Sequence, residues 1–169
     1  MAPVLVIVGA PGAGKTTVGG LVADKLGVPL RDTDADVEAR AEMSVADIFV
    51  QQGEAHFRAM EHLAVIDALV EHGGVLAIGG GAVLDEQTRT SLISSGVPVV
   101  WLKVGLADGV ARIGMNQARP LMLGNVRGTL LRLLEERAPL YAQVATITIE
   151  TDGRSAKDVA DLAAAAVTK

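Results

Sequence analysis

Nine residues near the start of the chain constrain its fold more than any other stretch. Gly9-Ala10-Pro11-Gly12-Ala13-Gly14-Lys15-Thr16-Thr17 fits the pattern G-x-x-x-x-G-K-[ST]. It follows an apolar, β-branched run, Val4–Val8, and opens a helical pattern over Lys15–Leu26. Glycines so placed let backbone N–H groups turn inward around phosphate oxygens, and the N-terminus of the following helix adds positive potential. In such a loop the lysine, here Lys15, reaches the β- and γ-phosphates of a nucleotide, and the hydroxyl of Thr16 ligates Mg²⁺. A strand before the loop and a helix after it point to an α/β fold that binds nucleotide phosphate.

The rest of the chain agrees with that start. Short β-branched runs alternate with longer helical patterns, the signature of a parallel sheet covered on both faces by helices. Strands are expected near Val4–Val8, Pro29–Asp32, Val75–Ile78, Val97–Val104 and Thr146–Glu150. Helices are expected near Lys15–Leu26, Asp34–Ala41, Val45–Gln52, Glu54–Glu71, Glu86–Ser94, Ala107–Ile113, Val126–Gln143 and Ala156–Val167. Ser44 with Asp47, and Ser155 with Asp158, read as capping boxes at two of these starts. No repeat or linker divides the 169 residues, so one compact unit is expected. Gly114–Gly128 lacks a clear period and carries three Gly, a Pro and two Asn, which marks it as a candidate lid.

Composition narrows the function. Aromatic residues are only 2% of the chain, too few for a platform on which single-stranded nucleic acid stacks. Fifteen basic residues against twenty acidic ones leave a net charge of −5, the wrong sign for gripping a phosphate backbone. With no Cys there is no disulfide or thiolate chemistry, which fits a reducing cytosol. The uncharged apolar stretches Met1–Gly14 and Gly73–Leu84 are short of a membrane span and interrupted by Gly. Met1–Gly14 also lacks the basic start of a signal peptide and reads as a buried strand with its loop.

Four further clusters carry candidate chemistry. Asp32-Thr33-Asp34 ends the second strand, the sheet edge where open α/β folds place ligands. On an extended segment the two carboxylates share a side, so one can hold Mg²⁺ through water while the other takes a proton from an attacking hydroxyl. Equally, Asp34 can be an ordinary helix cap. Phe57-Arg58 with Glu61 gives either an exposed i,i+3 ion pair or an arginine fork, oriented by Glu61, for a substrate carboxylate. Gly79-Gly80-Gly81 after the third strand offers bare backbone to a ligand, or is a plain loop. Arg119-Pro120-Leu121 and Arg137-Ala138-Pro139-Leu140-Tyr141 add two arginines, the second of which can simply favour a helix C-terminus. Cationic groups gathered on an acidic chain suggest small anionic ligands.

Taken in order, these motifs resemble the shikimate kinase family over nearly the whole chain. The resemblance rests on the P-loop, Asp-Thr-Asp, Phe-Arg with a following Glu, Gly-Gly-Gly, Arg-Pro-Leu and Arg-x-Pro-Leu-Tyr, supported by Ser44–Phe49 and Gly53-Glu54. It implies a P-loop kinase fold like that of the nucleoside monophosphate kinases, with a five-stranded parallel sheet, order 2-3-1-4-5, in three α/β/α layers. Residues 1–169 would form one kinase domain, with a shikimate-binding region at about 34–61 and the lid at about 114–128. The implied reaction moves the γ-phosphoryl group of ATP to the 3-hydroxyl of shikimate, with Mg²⁺, on the route to chorismate and the aromatic amino acids.

Roles follow position by position from the resemblance. Gly12, Ala13, Gly14, Lys15, Thr16 and Thr17 would bind the nucleotide phosphates, and Asp32 would hold Mg²⁺ through water beside Thr16. Asp34 would bind the shikimate hydroxyls and act as, or orient, the base. Arg58 and Arg137 would clamp the carboxylate, and Gly79, Gly80 and Gly81 would contact the ring hydroxyls. Arg119 would close over the transferred phosphoryl group, and Arg112 and Arg154 would flank the adenine. The loop Thr151–Ala156 lacks the Pro often found after the family's adenine-contacting Arg, and the lid reads Arg-Pro-Leu-Met where a second Leu is usual. Such a protein is expected to be a cytoplasmic monomer with no nucleic-acid or membrane partner. A gluconate-type kinase, a nucleoside monophosphate kinase and a nucleotide switch without transfer activity stand as alternatives. The last is disfavoured by the absence of Asn-Lys-x-Asp.

Overall fold

The computed structural model describes residues 1–114 and 125–168. Five strands make one sheet: β1 Leu5–Val8, β2 Leu30–Asp32, β3 Val75–Ala77, β4 Val99–Lys103 and β5 Ile147–Glu150. All pairings are parallel and the order is β2-β3-β1-β4-β5, as the resemblance implies. β1 is central because Leu5, Val6, Ile7 and Val8 are apolar on both faces, and all four are buried. A strand covered on both sides needs such a continuous apolar run.

Helices cover both faces: α1 Lys15–Leu26, α2 Thr33–Ala41, α3 Val45–Gln52, α4 Glu54–Glu71, α5 Glu86–Ser94, α6 Leu106–Gly114, α7 Val126–Val144 and α8 Ala156–Val167. The expected bounds hold to within a residue or two. Ser44 and Ser155 accept from the amides of Asp47 and Asp158, so both expected capping boxes begin their helices. A short 3₁₀ turn at Ala82–Leu84, which periodicity cannot show, follows the three glycines. Both ends of the stretch expected to be irregular are helical. α6 runs through Gly114, and residues 126–128 are already helical because the Asn125 side chain accepts from the Gly128 amide at 3.0 Å.

Three apolar clusters hold these elements. The largest lies on the sheet, where α1 and α8 meet through small residues such as Ala23, Ala160, Ala163 and Ala164. A second cluster joins Val37 of α2, Ile48 of α3 and Phe57 and Ala64 of α4. That cluster gives the expected substrate-binding region a core of its own, fixing α2 to α4 at the carboxyl edge of the sheet. The third, Ile113, Leu130 and Leu133, packs α6 on α7. Burying one such aliphatic side chain is worth about 1.5–3 kcal/mol, so each cluster matters at the scale of a domain's net stability.

Candidate active site

The phosphate loop leaves β1 at Val8 and enters α1 at Lys15. Gly14 takes a left-handed conformation, φ 87°, and no side chain caps the helix behind it. The first amides of α1 therefore face the cleft as donors for an anion. Gly12, φ 85°, sits so close to α6 that a Cβ would come within 2.9 Å of the Gly109 carbonyl oxygen. Lys15 lies back over the loop, its Nζ donating to the carbonyls of Gly9 at 2.8 Å and Ala10 at 3.2 Å. Thr16 donates from Oγ1 to Asp32 Oδ2 at 3.1 Å.

The pair Asp32 and Asp34 departs from the expected geometry. β2 stops at Asp32 and α2 starts at Thr33, so the two carboxylates lie across a strand–helix junction rather than along an extended segment. Asp32 is the helix cap: its Oδ1 accepts from the Asp34 amide at 2.8 Å while Oδ2 takes the Thr16 hydroxyl. Asp34, in the first turn of α2, is released from the capping role considered for it. It faces the glycine loop, where a Cβ on Gly79 would come within 2.8 Å of Asp34 Oδ1.

Beyond Asp34 the wall is made of charges taken out of water. Arg58 Nη1 donates to Glu61 Oε1 at 2.8 Å, with side chains only 16% and 2% exposed. The pair is therefore not the surface i,i+3 contact that spacing alone allows. Arg58 also lies over the rings of Phe49 and Phe57, at 5.9 and 5.2 Å from their centroids. Burial holds the Glu61 carboxyl above its usual range, outweighing the opposing pull of Arg58. Arg137 is 3% exposed and about two turns before the end of α7, too far in for a helix-end charge. Three buried atoms among the described side chains have no hydrogen-bond partner, and all are here: Arg58 Nε, Glu61 Oε2 and Arg137 Nε. An unsatisfied buried polar group costs about 1–3 kcal/mol, so their concentration in one wall marks a place built for a polar ligand.

A cleft of about 510 Å³ joins the phosphate loop to Asp34 and the glycine loop, against which Arg58, Glu61 and Arg137 pack from behind. It is lined by Gly12, Gly14, Lys15, Thr16 and Thr17 on one side, and by Asp32, Asp34, Ala77, Ile78 and Gly80 on the other, with Arg112 and Ile113 at the rim. A smaller cavity of about 210 Å³ adjoins it through Gly14, Thr17 and Arg112, and has Ala13 and Arg154 in its lining. Arg112 donates to the carbonyls of Gly12 and Ala13 and to Thr151, tying α6 to the phosphate loop and to the loop before α8. Gly79 donates its amide to Thr33 Oγ1 at 3.2 Å, and Gly81 packs against the Arg58 guanidinium so closely that no Cβ would fit. Of the sequence-derived site residues, only Arg119 lies outside the described residues. Spacing along the chain missed the Phe49–Arg58 contact and the bond from the Tyr141 hydroxyl to the Gly80 carbonyl. The one sign of the second was Tyr141 standing in the Arg-x-Pro-Leu-Tyr motif.

Comparison with known proteins identifies the family. A family model described as shikimate kinase matches residues 11–168. The shikimate kinase of Salinispora arenicola is 55% identical over 160 residues, covering 95% of each chain. That of Thermobifida fusca is 51% identical over 162 residues, covering 96% of this chain and 93% of its own. Among solved structures, the shikimate kinase from Acinetobacter baumannii in complex with shikimate superposes with a TM-score of 0.90 at 35% identity, over 96% of this chain and 90% of that one. With a family model over residues 11–168 and relatives of this closeness along almost its whole length, the chain belongs to the shikimate kinase family, kinases that phosphorylate shikimate.

Proposed function

We propose that this chain transfers the γ-phosphoryl group of ATP to the 3-hydroxyl of shikimate, with Mg²⁺, and that the residues of the cleft divide the work as follows. The α1 amides, Lys15, Thr16 and Thr17 bind the phosphates, and Lys15 draws charge off the transferred group. Asp34 receives the hydroxyl proton as the oxygen attacks in line. Arg58 and Arg137 clamp the carboxylate of shikimate, and the backbone of Gly79, Gly80 and Gly81 meets its ring hydroxyls. Arg112 and Arg154 flank the adenine from the smaller cavity. Arg119, outside the described residues, is given the transferred phosphoryl group on its motif alone.

The observation that carries this reading is the wall of partnerless buried atoms, Arg58 Nε, Glu61 Oε2 and Arg137 Nε, packed on the glycine loop whose Gly80 lines the same cleft as the phosphate loop. A carboxylate entering there would meet two guanidinium groups already desolvated and fixed. The metal fits as well. Thr16 and Asp32 offer hard oxygens 3.1 Å apart, and the described residues hold no cluster of three or more His, Cys, Asp or Glu. Few protein oxygens plus nucleotide phosphates is how Mg²⁺ is commonly held. Bound there, Mg²⁺ would neutralise charge on the β- and γ-phosphate oxygens.

The same reading makes residues 1–169 one kinase unit, with 34–61 as the acceptor region and 114–128 as the closing segment. No helix among the described residues is long and apolar enough to cross a membrane. A cytoplasmic monomer with ATP and shikimate as its only partners completes the proposal. The test is product identity. With ATP, Mg²⁺ and shikimate, phosphorus NMR should show shikimate 3-phosphate accumulating in step with ADP. Absence of shikimate-dependent ADP release at millimolar substrate overturns the reading.

A further inference from the structure

The Arg-x-Pro-Leu-Tyr motif contributes more than its arginine. Tyr141 is 1% exposed, its ring tilted against Trp101 with centroids 5.7 Å apart. A core aromatic needs no more than that. Its hydroxyl, however, donates to the Gly80 carbonyl at 2.6 Å, across from α7 to the loop that follows β3. Because a trans peptide is planar, pinning that carbonyl also sets the Gly81 N–H, which must point the opposite way, away from α7. The Arg58 guanidinium packs directly on Gly81, and Arg137 Nη1 lies 3.6 Å from where a Gly80 Cβ would stand. Arg137 and Tyr141, four residues apart, share one face of α7. The hydroxyl thus holds the peptide plane against which both cations pack, Arg137 on the Gly80 side and Arg58 on the Gly81 side.

We propose that Tyr141 is a positioning residue for the acceptor: its hydroxyl fixes the Gly80–Gly81 peptide against Arg58 and Arg137, so that the loop and both arginines present one prearranged surface to an anionic polyol. Burial pushes the Tyr141 phenol up to about 12, so it stays a donor at neutral pH. The inference rests on the reading of Arg58, Arg137 and the glycine loop as the shikimate side of the site.

Tyr141→Phe keeps the ring and removes the donor. Losing one neutral hydrogen bond to the loop should raise the shikimate KM roughly three- to ten-fold, leave the ATP KM within about two-fold, and lower kcat less than it raises KM. A purely structural hydroxyl would lower Tm and leave the shikimate KM where it was. That second result in a folded variant overturns the inference. The unsubstituted protein in the same assay separates the levels: if it shows no shikimate-dependent turnover, the reading of the site falls and this inference with it. Should Tyr141→Phe fail to fold, the native chain still decides, because Tyr141 is its one tyrosine and biosynthetic 3-fluorotyrosine labels it alone. Its single ¹⁹F resonance should move on titration with shikimate, and a resonance that stays still overturns the proposal.

Discussion

At one end of the cleft, the groups that meet a ligand are main-chain amides of the phosphate loop and two adjacent side chains of α1, Lys15 and Thr16. Toward the other end stand side chains of three helices, with Asp34 in the cleft lining and Arg58, Glu61 and Arg137 behind it around a glycine loop. The first end is nearly finished without a ligand. Its donors are aimed by positive-φ glycines and by the helix start, and Lys15 rests on loop carbonyls. The second end is left incomplete, with one buried atom each of Arg58, Glu61 and Arg137 lacking a hydrogen-bond partner. Buried ion pairs contribute little or nothing to net stability compared with apolar packing. A wall of them is therefore better explained by what it binds than by what it stabilises. On the proposed reading, one end recognises a group shared by all nucleoside triphosphates and the other selects a particular acceptor.

That difference can be broken experimentally, starting with the largest effect. Lys15→Ala should leave no measurable transfer while far-ultraviolet circular dichroism stays native, since Lys15 serves phosphates and not the core. Near-normal turnover in that variant would contradict the phosphate-loop reading. Asp34→Asn should lower kcat by about 10²–10⁴-fold with ATP binding little changed, the usual range for a positioned base. Steady-state kinetics with direct nucleotide titration would check it, and a loss of two- or three-fold would remove Asp34 from the chemistry.

Arg58→Lys sharpens the contrast between the ends. Lys keeps the charge but loses the planar fork, and one charge-assisted hydrogen bond is worth ~1.5–3 kcal/mol. The shikimate KM should rise roughly ten- to hundred-fold and the ATP KM should barely move. An unchanged shikimate KM would leave the wall without its assigned ligand.

The smallest effect is on stability. Glu61 binds its proton more tightly folded than unfolded, because burial raises its carboxyl above the ordinary 4.5. As pH rises through 4.5 the unfolded chain releases this proton while the folded one keeps it. Glu61 thus costs stability progressively up to its raised folded value, by at most about 1.4 kcal/mol per pH unit. Urea unfolding across that window should show a difference in pH slope between the native chain and Glu61→Gln. Parallel slopes would contradict the burial of the carboxylate.

The two ends also differ in how far the sequence reveals them. The phosphate loop is written in nine consecutive residues, and the element bounds follow from periodicity and capping residues such as Ser44 and Ser155. The acceptor wall is assembled from segments far apart, and spacing within one helix cannot say what a neighbouring element brings to it. On spacing alone Arg58 and Glu61 are equally able to pair in water, and only the packing of α2, α3 and α4 places them inside. In sequence the capping role falls to Asp34, whereas Asp32 fills it, because α2 starts at Thr33, one residue earlier than expected. The order of the motifs along the chain, more than any one of them, points to the right cleft.

On the proposed reading the buried wall selects shikimate while the loop binds ATP. One coupled assay of ADP release tests this, run with ATP and Mg²⁺ against shikimate, gluconate and a set of nucleoside monophosphates in turn. Turnover with shikimate alone is expected. Equal release with gluconate or a nucleoside monophosphate, or release independent of any acceptor, would contradict it.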